Sequence, residues 1–171
     1  MKILYTDGSA KKNGSKNAEG GFGVVVCERQ GDEKPEQFVV VDAYSERAVG
    51  TTNNRMEMGA LIWALKNYGG PEHREKGFLV PVVYSDSMYC VNSFTNWIKG
   101  WKANGWVRSG NKPLENLDLI KEWDRLCNEG YQIDLRYIKG HSGEVWNEIA
   151  DKLATGQISP QQVLDNYGGQ V

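Results

Sequence analysis

The sequence predicts an α/β domain built on a mixed five-stranded sheet, three strands antiparallel and two added in parallel, flanked by helices. Three observations carry this expectation. Two apolar runs end in nearly the same words, Tyr5-Thr6-Asp7-Gly8-Ser9 and Tyr84-Ser85-Asp86-Ser87, and both read as central strands covered on two faces. Three strand-like segments follow one another in the first third of the chain with no room for crossovers, which requires antiparallel pairing. Segments of helical period then separate the later strands, which permits the parallel pairing of crossover units.

Each element has a local reason. Residues 2–6 are β-branched and aromatic, and a Gly- and Lys-rich connection follows over residues 8–21. Residues 22–28 and about 37–44 read as the second and third strands around a turn at Gly31-Asp32-Glu33. The period then changes: Glu57, Leu61, Ala64, Leu65 and Tyr68 recur at helical spacing, with Asn53 or Asn54 to cap the start and Gly69-Gly70-Pro71 to end the helix. Residues 79–84 supply a fourth strand, and a helix is expected near residues 87–94 before a Trp-rich basic segment. Leu117, Ile120, Trp123 and Leu126 mark a helix over about 114–128, and residues 131–138 form the last strand. A loop, Lys139-Gly140-His141-Ser142-Gly143, leads to a helix bearing Trp146, Ile149, Ala150 and Leu153. Residues 1–155 are expected to form the domain, and the polar stretch 156–171 a mobile tail.

Length and composition narrow the function classes. The 171 residues suit one domain, and 40% hydrophobic with 25% charged residues argue against a disordered or fibrous chain. Apolar runs are strand-sized, so no membrane span is expected, and the opening residues read as a strand rather than a signal peptide. Cys27, Cys90 and Cys127 are odd in number and widely spaced. They fit reduced thiols in a cytoplasmic protein better than a disulfide framework or a zinc site. A net charge of −2 argues against binding polyanions by bulk charge. The charge is local instead: Lys99, Lys102, Arg108 and Lys112 stand among three Trp residues with no acid between them, and Lys11, Lys12 and Lys16 form a second cluster.

The carboxylates are the chemically informative residues. An Asp closing a buried strand costs desolvation unless a positive group meets it. Ligands in open α/β sheets gather outside the carboxyl ends of strands, so Asp7 and Asp86 are placed to share a cation. Ordinary roles are also open to each acid: an Asx-turn for Asp7, an N-cap for Asp86, and for Glu57 a capping box with Asn54. Glu57 nevertheless falls on the apolar face of its helix, where a carboxylate needs a partner. Asp151 lies off the buried stripe of its helix, and His141 in its Gly-flanked loop has no requirement beyond a surface histidine. As a set, hard oxygen ligands with no Cys or His cluster suit Mg²⁺ or Mn²⁺ rather than zinc.

Six blocks resemble type 1 ribonuclease H. They are residues 5–9 and 85–88 above, Thr-Asn-Asn-Arg-Met-Glu at 52–57, Thr-Asn-Trp-Ile-Lys-Gly-Trp-Lys at 95–102, the loop at 139–143, and Asn147-Glu148-Ile149-Ala150-Asp151. They extend in the family's order from the first strand to Leu153. The resemblance implies a ribonuclease H-like fold and an endoribonuclease that cuts the RNA strand of an RNA/DNA hybrid, leaving 5′-phosphate and 3′-hydroxyl ends. It makes Asp7, Glu57, Asp86 and Asp151 ligands of two divalent ions, Mg²⁺ or Mn²⁺, and His141 an aid to proton movement or product release. Asn13, Asn53 and Asn54 match minor-groove contacts, and Tyr89, Trp101 and Ser109 a channel for the DNA strand. Thr52 and Asn116 match a DNA-phosphate pocket in which Gly50 stands where some members have Arg. Lys99, Lys102, Arg108 and Lys112 match a basic protrusion that grips the hybrid, while Trp97 and Trp106 are expected to pack. A complete site in one chain implies a monomer. The competing readings are a hybrid-binding module without catalysis and a ribonuclease H-like DNA nuclease. Four intact acids speak against the first, and the 52–57 block beside the basic Trp-rich segment against the second.

Overall fold

The structure is a computed structural model and describes residues 1–31, 37–140 and 143–169. Strands β1 (Lys2–Ala10), β2 (Glu19–Gln30) and β3 (Gln37–Val49) precede helices α1 (Asn53–Tyr68) and α2 (Pro71–Glu75). Strand β4 (Val82–Ser85) leads to α3 (Met88–Asn92), a π-helical segment (Ser93–Trp97) and α4 (Ile98–Ala103). A small hairpin of β5 (Val107–Arg108) and β6 (Lys112–Pro113) precedes α5 (Leu117–Asn128), β7 (Asp134–Tyr137), α6 (Val145–Ala154) and α7 (Pro160–Tyr167).

The main sheet has the order β3-β2-β1-β4-β7. Its first three strands pair antiparallel, and β4 and β7 join in parallel, as the sequence predicts. Along β1 the side chains alternate between two cores. Leu4 meets Val24, Val83, Leu61 and Leu65 beneath α1 and α5, whereas Ile3 and Tyr5 meet Val25, Val82 and Leu153 beneath α6. Both faces are covered, which is why the strand shows no polar alternation.

Several boundaries differ from expectation. Strand β1 runs on to Ala10, so Asp7 sits inside the β1–β2 ladder opposite Gly23 instead of ending the strand. Strand β4 starts at Val82, because Pro81 has no amide to donate to a ladder. The helix expected near 87–94 continues to Ala103 through the π-helical segment. The cap of α1 is neither Asn53 nor Asn54: Thr52 Oγ1 accepts from the Arg55 amide at 3.1 Å. Helix α5 begins at Leu117, after Asn116 turns the chain in the left-handed region at φ 59°. Short helix α2 and the β5–β6 hairpin were not anticipated. Of the expected Gly31-Asp32-Glu33 turn, only Gly31 lies within the described residues.

The polar tail also differs from its expectation of mobility. Ser159 and Gln162 form a reciprocal capping box, and Pro160 occupies the first turn of α7. The helix buries Val163 completely in the core beneath α6, and Gly168 bridges to Val40 on β3. A largely polar sequence is held chiefly by Val163, with Ile158 and Leu164 packed beside it. Val163→Ala is expected to lower stability by about 1–3 kcal/mol, measured by urea denaturation.

Candidate active site

The repeated strand ending acquires its meaning from register. Tyr5 pairs with Tyr84 and Thr6 with Ser85 in the parallel β1–β4 ladder, so Asp7 and Asp86 are the next residues of two neighbouring strands. The Tyr rings stack at 5.3 Å beneath them. Beyond Ser85 the fourth strand ends, and the two Asp residues face a gap between strand and helix termini.

Two glycines let the other acids approach. A methyl group at Gly8 would sit 2.8 Å from the Met56 carbonyl oxygen, closer than packed atoms tolerate, so only glycine lets the first turn of α1 lie against β1. That turn carries Glu57. On the opposite face a methyl group at Gly23 would stand 2.6 Å from the Ala150 carbonyl oxygen and collide with Leu153 Cβ. Helix α6 therefore lies directly on β2 at the ladder partner of Asp7, and it carries Asp151. Arg47 of β3 donates to the Ala154 carbonyl at 2.5 Å, setting a cation at the C-terminus of α6.

Carboxylate oxygens of Asp7, Glu57 and Asp86 lie within 4.8 Å of one another. Asp151 lines the same cavity outside that tight group, together with Gly8, Asn53, Asn54 and Ser87. No basic side chain is among these lining residues. Asp7 and Glu57 are each only 7% exposed. Burial lifts the Asp7 carboxyl to about 7, with Glu57 opposing the rise through its hydrogen bond and Asp86 and Asp151 adding to it by repulsion. Burial, then the neighbouring Asp7, pushes Glu57 well above the usual carboxylate range. Its Oε2 is buried with no hydrogen-bond partner among the described residues. Clustered acids, an orphaned buried oxygen and no basic side chain among the described lining residues fit a divalent cation bound through oxygen. The ordinary capping roles fall elsewhere: Thr52 caps α1 and Ser87 caps α3, although Asp7 Oδ1 does accept from the Gly8 amide at 2.9 Å.

His141 and Ser142 lie outside the described residues. Their neighbour Gly140 passes over Asp86, where an added methyl group would be 3.0 Å from Asp86 Oδ2. The stem of that loop therefore reaches the acid cluster.

The other predicted residues divide among three places. Asn53 and Asn54 edge the acid cavity, while Asn13 Oδ1 accepts from the Asn53 amide and Asn53 Oδ1 from the Ala10 amide, tying the β1–β2 turn to α1. Thr52 is occupied by its cap, and Asn116 Nδ2 reaches the Tyr89 hydroxyl at 3.5 Å. Gly50 takes φ 69°, a conformation that would strain an Arg there. Trp101, Arg108, Ser109 and Lys112 line an open groove together with Trp97, Asn96 and Asn104. Lys99 is exposed on α4, whereas Lys102 is engaged by Asp124 at 3.1 Å.

Trp97 departs from its expected packing role. It is 43% exposed, and its ring lies between Tyr89 at 6.1 Å and Trp101 at 5.9 Å, forming an aromatic wall. A spacing of four predicts that Trp97 and Trp101 share a packed helical face, and the π-helical segment before Ile98 shifts the face that a regular helix would present. Trp106 does pack, against the core beneath α1 and α5, with Lys121 over its ring at 5.9 Å.

Comparison with known proteins places this arrangement. The family profile described as RNase H matches residues 1–159. Ribonuclease H of Polaromonas naphthalenivorans (strain CJ2) is 38% identical over 153 residues, covering 89% of this chain and 83% of that protein. Ribonuclease HI of Neisseria meningitidis serogroup B is 39% identical over 151 residues, covering 88% and 90%. The crystal structure of LC9-RNase H1, described as a type 1 RNase H with the type 2 active-site motif, superposes with a TM-score of 0.72 at 31% identity, over 91% of this chain and 70% of that one. With acids converging from two parallel strands and two helices, and with the match running from the first strand through α6, the chain belongs to the ribonuclease H family.

Proposed function

We propose that this chain is a monomeric, cytoplasmic endoribonuclease that hydrolyses the RNA strand of RNA/DNA hybrids, with Mg²⁺ as its ion and Mn²⁺ able to replace it. The convergence of Asp7, Glu57 and Asp86 on one cavity that Asp151 also lines, in a member of this family, carries the reading. Divalent ions held by these four carboxylates would supply Lewis acidity for in-line displacement at phosphorus. The oxygen of water joins the 5′-phosphate, the bond to the 3′ oxygen breaks, and that oxygen takes up a proton. His141 is assigned to proton movement or product release.

The chain's other residues orient the substrate. Asn53 and Asn54, at the cavity edge, are assigned to the minor groove with Asn13 as their support. The aromatic wall of Tyr89, Trp97 and Trp101 offers apolar faces to deoxyribose, where a 2′-hydroxyl would be desolvated without a partner. Ser109, Thr52 and Asn116 hold the DNA strand. Domain 1–155 carries all of these groups. Among the described residues no helix is long and apolar enough to cross a membrane, and all three cysteines are free thiols.

Cleavage of an end-labelled hybrid, set beside duplex DNA, duplex RNA and single strands, tests the reading with Mg²⁺, Mn²⁺ or chelator. Cutting confined to the RNA of the hybrid and abolished by chelator is expected. Binding without cutting would point to a module that has lost catalysis, and cutting of duplex DNA to a different nuclease.

The basic segment makes a separable prediction. Replacing Lys99, Arg108 and Lys112 together by Gln is expected to raise KM for the hybrid and to flatten its dependence on log salt by about 2–3. Lys102→Gln is expected to have the smaller effect, because its charge is already met by Asp124. Hybrid titrations at several salt concentrations measure both.

A further inference from the structure

Helix α7 lies beyond the family match at residues 1–159, yet its end touches the helix that carries Asp151. The Tyr167 ring meets the Trp146 ring edge-on, with centroids 5.7 Å apart and planes at 84°. Trp146 belongs to the first turn of α6, five residues before Asp151. Among the described residues that turn lacks the usual local support: Glu144 at its N-cap makes no side-chain capping bond, and buried Asn147 Oδ1 has no partner. Tyr167, by contrast, is well anchored. The Gly168 amide donates to the Leu164 carbonyl at 2.8 Å, Gly168 bridges to Val40, and Val163 is fully buried. Contacts thus run from the edge of the sheet through Tyr167 and Trp146 into α6. The other end of α6 is held by Arg47.

We propose that Tyr167 is a positioning residue: by bracing Trp146 against the uncapped start of α6, it sets where Asp151 stands relative to Asp7, Glu57 and Asp86, and so sets metal affinity and turnover. The role of Asp151 in this proposal rests on the functional reading above. Tyr167 is 40% exposed, so truncating its ring removes the brace with little loss from the core.

The test uses the full chain with Tyr167→Ala, Tyr167→Phe and, as a core control away from α6 and α7, Leu126→Ala on α5. Mn²⁺ binding is measured by titration calorimetry without nucleic acid, kcat and KM by hybrid cleavage, and stability by urea. Tyr167→Ala is expected to weaken Mn²⁺ binding and to lower kcat, each by about 3- to 30-fold, with KM changed by less than about twofold. Tyr167→Phe retains the ring edge and should match the parent in all three. Leu126→Ala should lose stability while keeping metal affinity and kcat. Unchanged Mn²⁺ affinity and kcat in Tyr167→Ala would overturn the proposal, as would an equal loss of both in Leu126→Ala. If the parent chain binds Mn²⁺ without cutting the hybrid, the functional reading fails, and the Mn²⁺ comparison alone still decides for or against the brace.

Discussion

Asp7→Asn is expected to reduce hybrid cleavage by about a thousandfold or more and, in metal-free buffer at neutral pH, to make the protein more stable than the parent. Both effects come from the same burial. In the folded chain the Asp7 carboxyl titrates at about 7, against an ordinary value of 3.8. Folding therefore opposes its ionisation. Below about pH 4 the group is protonated in both states and nothing is lost. Between pH 4 and 7 the unfolded chain releases a proton that the folded chain retains, so stability falls as pH rises and levels off above 7. The loss is on the order of 2–4 kcal/mol, and Asn removes it by taking away the charge. Urea unfolding of parent and variant from pH 4 to 8 in EDTA measures the difference, which should vanish at the acid end. Divalent ion should restore the parent and leave the variant nearly unchanged, because ligands that bind only the folded state stabilise it. A variant that is no more stable than the parent at pH 7.5 would mean that burial and the neighbouring acids do not oppose ionisation of Asp7.

Gly23→Ala is the second large effect, and it acts without touching a charge. The added methyl group meets the Ala150 carbonyl oxygen at 2.6 Å and the Leu153 Cβ, both on α6. Backbone of a packed helix yields only by moving, so α6 must lift from β2. The cost is about 3 kcal/mol of overpacking. Lifting α6 also carries Asp151 away from Asp7, and a displacement of about 1 Å at a reacting group costs about a hundredfold in rate. Gly100→Ala is the matched control: nothing lies within 4 Å of its added methyl group on α4, so kcat should be unchanged with stability level or slightly higher, and any effect at this groove-lining position should fall on KM. Thermal unfolding and steady-state cleavage of both variants provide the comparison. Similar losses in the two would show that the glycines matter for helix propensity rather than for close approach.

Much of this molecule was legible before any coordinates. Periodicity separated the strands of both core layers from the helices, because covered strands and amphipathic helices bury their apolar residues at different repeats. Asp7 and Asp86 stood out through their repeated setting, and Glu57 through its place on an apolar face. Asp151 was ambiguous for a physical reason: it points off the buried stripe of α6, so its proximity to Asp7 depends on how deeply that helix settles onto Gly21 and Gly23. Trp97 stands beside Tyr89 and Trp101 at the end of a π-helical segment that a regular repeat does not anticipate, and the tail is attached through Val163 with Ile158 and Leu164 packed beside it.

The amino-acid order by itself determined the class of the fold, the acids available for a cation and the basic aromatic segment, since these follow from local periodicity and residue chemistry. Only the tertiary structure decided that Thr6 pairs with Ser85, which sets Asp7 beside Asp86. It likewise decided that glycines admit α1 and α6 near enough for Glu57 and Asp151 to face the same cavity. Register and interlayer distance are properties of residues far apart in the chain meeting in space, and no local pattern encodes them.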